Sequence, residues 1–248
     1  MQEKAVAFID ILGFKELLRR LAHGDEALLE DIKDSLQGLR AFGRVAEELS
    51  FPYRFPAWQA TAFSDNIVLS DEPTSLGVGR VVESTLMIAS MLLERGILSR
   101  GGIVIGPLFH EEGIVFGLGL VEAYELEKSV AVYPRIVVSD AAAEKFEAQL
   151  SRRLVRDSDG CWYVDVLWSL RQVSWDPREG LAGLYKDQPP DSSRFETVRA
   201  AISSGLVQEL SRNEPRLTIL SKYRWLAHRF NAVVKELQPE SIEVIEVR

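Results

Sequence analysis

The stretch KAVAFIDILGFKELL, residues 4–18, constrains the chain more than any other. Ala5 to Ile9 form an apolar run fit for a buried strand, which ends on a carboxylate, Asp10, and turns through Gly13 into Phe14, Leu17, Leu18 and Leu21 at helical spacing. An aspartate closing a buried strand costs desolvation free energy unless something cationic compensates it. A metal ion is one such cation. The chain has one cysteine, Cys161, and three histidines, His23, His110 and His228, so neither an internal disulfide nor a structural zinc site is expected. A metal would then sit on oxygen ligands, which points to magnesium or manganese.

Hydrophobic residues make up 46% and charged residues 27% of the 248, the balance of a soluble globular protein. No uninterrupted apolar segment approaches the roughly 18 residues that span a bilayer, and no signal-peptide organisation opens the chain. A cytoplasmic protein without membrane partners is expected. The net charge of −8 disfavours a broad footprint on DNA or RNA and leaves room for a small anionic ligand held locally.

Along the chain, the first strand and helix are followed by a charged break and a second amphipathic helix over about 26–49. YRFPAWQATAF and IVLS, joined by the turn SDN, read as a hairpin. DEPTSLG is a loop, and VGRVVESTLMIASMLLERG a long helix closed by Gly96. ILSRGGIVIGPLFHEEGIVFG reads as a second hairpin breaking at HEEG, which leaves His110 in a solvated turn. LGLVEAYELEKSV then reads as a helix and RIVVS as a strand. This order describes an α+β fold, a mixed sheet with helices on at least one face. The core is placed at 1–145. Residues 146–248 form an extension, with a hairpin around DSDG, a Pro- and Gly-rich loop and two amphipathic helices, packed on the core or on a second subunit.

If the first strand lies against the 53–69 hairpin, Asp10 and Asp65 meet at one end of neighbouring strands. Two carboxylates there suit one or two hard divalent cations, and such a pair fits phosphoryl transfer. Arg100, before Gly101 and Gly102, is a cation able to reach a phosphate or a base edge; Lys128 and Arg135 are further cationic candidates. Tyr53, Trp58 and Phe63, on the hairpin that carries Asp65, are aromatic faces on which a base could stack. The glycines of SRGG and FGLG permit close approach of a ligand or tight turns. A phosphorylated receiver domain fits less well, since only Glu3 flanks the first strand.

These segments resemble a family. FIDILGF resembles the metal-binding first strand of class III nucleotidyl cyclases, AFSDNIVLS their second metal hairpin, LSRGGIVIGPL their Arg-x-Gly-Ile-x-x-Gly strand, and VFGLGLVEAYELEKS the Gly-led helix after it. The motifs stand in family order over roughly 5–140. The resemblance implies a ferredoxin-like βαββαβ palm, two Mg2+ or Mn2+ ions on Asp10, Asp65 and the Ile11 carbonyl, Gly13 and Phe14 beside the substrate, and a homodimer with the active site at its interface. The implied reaction joins the 3′ oxygen of a nucleoside triphosphate to its own α-phosphate and releases pyrophosphate. Purine cyclases carry an asparagine and an arginine on the last of these helices, where this chain has Val121 and Glu125; the purine reader near the hairpin has only Gln59 and Thr61 as candidates. The pyrimidine cyclases of bacterial antiphage (Pycsar) systems are the nearer likeness. That implies UTP as substrate and cyclic UMP as a messenger read by a separate effector, with CTP or a purine triphosphate, or an inactive nucleotide-sensing module, as alternatives.

Overall fold

A computed structural model describes residues 1–26, 30, 57–146, 153–171, 173–174, 186–187 and 190–247. The chain divides into two compact units, Met1–Val166 and Leu167–Arg248.

The first unit is built on an eight-stranded mixed sheet. Its first four strands are β1 (Gln2–Ile11), β2 (Gln59–Phe63), β3 (Asn66–Asp71) and β4 (Ser99–Glu111), lying in the order β2-β3-β1-β4 with every pair antiparallel. Helix α1 (Phe14–Ala22) follows β1 and α2 (Ser75–Glu94) follows β3, so chain order and spatial order together give the ferredoxin-like βαββαβ palm. The α+β class and the palm expected from the sequence are what the topology shows. Beyond β4 come β5 (Ile114–Phe116), α3 (Leu118–Val130), β6 (Ile136–Val138), α4 (Asp140–Lys145), and the hairpin β7 (Leu154–Arg156) with β8 (Trp162–Val164). β6 joins β4 in parallel, and the β7–β8 hairpin continues the sheet through β6.

Both faces of the palm are covered, because β1 and β3 carry apolar residues at odd and even positions alike. On one face Val6, Phe8, Val68, Val104 and Leu108 form a cluster with Ala123 of α3. On the other lie the buried Ala5, Ala7, Ile9, Ile67 and Leu69. Helix α2 packs on β1, β3 and β4; Thr74 caps it by accepting from the Gly77 N–H at 3.1 Å, so it begins inside the segment read as a loop. By length and composition α2 could cross a bilayer, but Arg80 and Glu83 interrupt its apolar run and most of its residues are buried within the protein.

The second unit contains a short 3₁₀ turn, a two-residue ladder of β9 (Val173–Ser174) and β10 (Lys186–Asp187), and the helices α5 (Ser192–Leu210) and α6 (Leu217–Leu237). The two helices pack on each other, with the Phe195 and Phe230 rings 6.1 Å apart. Glu209 ties the turn between them: its carboxylate accepts from the Arg216 backbone N–H at 2.6 Å and from the guanidinium at 2.8 Å. Tyr53 and most of the helix read over 26–49 lie outside the described residues.

Candidate active site

Residues paired across antiparallel strands project from the same face of a sheet. Phe63 pairs with Asn66, Asn66 with Asp10, and Asp10 with Arg100, so these four side chains form one row across β2, β3, β1 and β4. The row lies at the end of the palm where β1 runs out into Gly13 and α1. Asp65 sits in the turn beside it. Its carbonyl accepts the Ile11 N–H at 2.9 Å, and its Oδ1 accepts from Asn66 Nδ2 at 3.2 Å. The turn is two residues long, Ser64 and Asp65, with Ser64 in the left-handed region at φ 55°; Asn66, read as part of the turn, is the first residue of β3.

Arg100 donates from Nε to Asp10 Oδ2 at 3.2 Å and forms a closer ion pair, through the same nitrogen, with Oε1 of Glu127 on α3. Asp10 and Arg100 are 19% and 26% exposed, while Glu127 is 2% exposed. Nothing in the sequence singles out Glu127. A glutamate on an amphipathic helix ordinarily faces water; here Gly102, two residues past Arg100 on the same face of β4, lets α3 close onto the strand. A Cβ at position 102 would run into the Ala123 carbonyl and sit 3.2 Å from the Glu127 amide nitrogen. That glycine of SRGG therefore makes room for a helix.

The remaining candidates divide by position. Gly13 holds the left-handed turn before α1 at φ 75°, with open space where a side chain would stand, and Phe14 opens the helix half-buried. Phe63 is exposed at the end of its row. Trp58 precedes β2 at the far end, five residues or roughly 16 Å along the strand from Phe63. Lys128 is exposed and lies over the Tyr124 ring at 5.6 Å, and Tyr124 packs edge-on against Phe8. Arg135 is taken up elsewhere: at 2% exposure its guanidinium pairs with Asp157 and Asp159 in the β7–β8 turn, burial being offset by two carboxylates.

His110 departs most from expectation. β4 runs through it to Glu111 and the turn falls at Glu112–Gly113, so the imidazole is buried at 1% exposure instead of solvated. It lies 2.9 Å from Thr61 Oγ1 through Nε2 and 2.8 Å from Ser70 Oγ through Nδ1. Burial, reinforced by the positive charge of Lys4, lowers its pKa to about 4. Thr61, a candidate for reading a purine, is thus engaged by His110.

The donor set fits a hard cation. Asp10 and Asp65 offer carboxylate oxygens at one sheet end; Asp10 Oδ1 and Asp65 Oδ2 have no hydrogen-bond partner among the described residues. Among the described residues no group of three or more His, Cys, Asp or Glu side chains is arranged to hold a metal ion.

No family model and no curated protein matches the chain. Among solved structures it is similar to a class III adenylyl cyclase-like ATP-binding protein from Pseudomonas aeruginosa, at 12% identity and TM-score 0.39 over 64% of this chain and 37% of that one. An adenylate/guanylate cyclase/hydrolase from Silicibacter pomeroyi gives 18% and 0.38 over 66% of this chain and 94% of that one. A bacterial light-regulated adenylyl cyclase gives 16% and 0.38 over 71% and 54%. The chain thus spans well under two thirds of the first and third of these proteins. With TM-scores below 0.5 these likenesses carry no weight here, and the class rests on the chain's own strand order.

Proposed function

We propose that the protein is a cytoplasmic, metal-dependent pyrimidine nucleotide cyclase that converts UTP to 3′,5′-cyclic UMP and pyrophosphate, the product serving as an antiphage messenger read by a separate effector. The observation that carries this reading is the meeting of two distant aspartates: Asp10 pairs with Asn66, and Asp65, the residue before it, accepts the Ile11 N–H. The four cyclase-like segments and their order along the chain add to it.

Two Mg2+ or Mn2+ ions held by Asp10, Asp65 and the Ile11 carbonyl would supply neutralisation of the triphosphate and a lowered pKa for the attacking hydroxyl. The reaction forms a bond from the 3′ oxygen to the α-phosphorus and breaks the bond from that phosphorus to the oxygen bridging to the β-phosphate; the hydroxyl proton leaves to solvent. Asp10 and Asp65 orient the triphosphate at the sheet end, Gly13 and Phe14 border it, and Phe63 offers an exposed ring for the base. Arg100 and Lys128 are the cations assigned to the triphosphate in this reading, and Tyr53 joins Phe63 as an aromatic face for the base. The active protein is a homodimer with the site at its interface.

Incubating the purified protein with each of ATP, GTP, CTP and UTP in Mn2+ tests the reading. Cyclic UMP is the expected product, and Asp65→Ala abolishes it while leaving the circular dichroism spectrum unchanged. A cyclic purine as the only product would overturn pyrimidine specificity; no cyclic product from any of the four leaves a nucleotide-sensing or dimerising module. The engagement of Thr61 by His110 weighs against the purine alternative.

A further inference from the structure

We propose that Arg100 is the counter-ion of Asp10 in the cation-free protein, and that Glu127 is a positioning residue that takes the guanidinium over when Asp10 binds a divalent cation. The inference rests on the reading above for Asp10 as a cation ligand.

One atom serves two carboxylates. Arg100 Nε carries a single hydrogen, directed to Asp10 Oδ2 at 3.2 Å, yet the nitrogen lies closer to Glu127 Oε1. The guanidinium is therefore poised between two acceptors, and a small rotation exchanges one for the other. The acceptors differ in what else can reach them. Asp10 is 19% exposed and open to ions from solution, whereas Glu127 is buried on a helix seated over Gly102. A dissolved cation reaches Asp10 and not the buried Glu127, and drawing Arg100 away from a buried carboxylate is costly. Arg100 accordingly withdraws toward Glu127 as Asp10 changes partners.

The charges agree with this. Asp10, Asp65 and Glu127 against Arg100 leave two net negative charges at the sheet end, which one divalent cation cancels. Neutralising Glu127 leaves one, and Asp10 as the guanidinium's remaining carboxylate among the described residues.

The test uses full-length protein without nucleotide and Mn2+ alone, with free Mn2+ followed by electron paramagnetic resonance. Asp65→Asn identifies the site, Glu127→Gln probes the positioning residue, and Arg100→Met with Glu127→Gln removes the pair together. Wild type binds Mn2+ in an Asp65-dependent manner; Glu127→Gln weakens that binding about tenfold, as loss of a group that orients a metal ligand does. The double variant regains wild-type affinity or better, because no guanidinium remains on Asp10. A Glu127 that merely supported the fold would leave the double variant as weak as the single one, and that result, or unchanged affinity in Glu127→Gln, overturns the inference while the cyclase reading stands. Absence of Asp65-dependent Mn2+ binding in wild type overturns the inference as well, while the cyclase reading, in which the triphosphate shares the metals, stands or falls on its own assay. Should Glu127→Gln fail to fold, the double variant decides: affinity below wild type sinks the inference.

Discussion

Arg100 shows how a residue's company changes its meaning. A guanidinium beside a glycine pair suggests a free cation for a phosphate, but here it is the partner of a glutamate with 2% exposure. Taking a cation away from a buried carboxylate destabilises, less so here than for a fully buried pair because Arg100 is itself 26% exposed. Arg100→Met alone is thus expected to lower the stability of the first unit by about 1–3 kcal/mol, read as a shift in the denaturant midpoint. Asp10→Asn, whose carboxylate is more exposed, costs less. The two aspartates were legible in the sequence because each sits where a carboxylate is poorly solvated or turn-forming, next to apolar strands whose pairing follows from their pattern. Glu127 was not, since its burial depends on a glycine 25 positions earlier that only the packed helix brings beside it.

At the level of elements, β4 carries much of what the sequence left hidden. Its 13 residues place Arg100 in the row with Asp10, Gly102 under α3, and His110 among the hydroxyls of β2 and β3. Helix α3 was readable to the residue from its Gly-led start and apolar spacing, whereas the path of β4 past the expected break was not, because HEEG has the composition of a turn while only its last two residues make one. The buried imidazole gives a pH signature. Its pKa is about 4 in the folded chain against an ordinary 6.5, so between those values the unfolded chain binds a proton that the native one refuses. Stability therefore falls as pH drops from about 6.5 to about 4, by up to about 3 kcal/mol from this group, and is indifferent to it above that window. Thermal unfolding of wild type and His110→Gln across that range should show the variant losing less. Gly102→Ala, by pushing on α3, is expected to cost about 1–3 kcal/mol in the same assay.

For the molecule as a whole, the outward side of β5 and α3 bears on the proposed homodimer. Ile114, Phe116, Leu118, Val121 and Tyr124 are all large, apolar and exposed there. Contiguous apolar surface of this kind marks interaction sites in soluble proteins. Leu118→Asp is expected to shift the sedimentation profile from dimer toward monomer and to lower cyclase activity with it, while α3 and its inward contacts stay folded. The turn Asp157–Gly160 has a different lesson. Polar, glycine-closed and at a hairpin tip, it is the kind of place chosen for splicing in an epitope or reporter peptide. Because two of its carboxylates neutralise the buried Arg135, an insert there would take that guanidinium's counter-ions away, and such engineering should look to another loop.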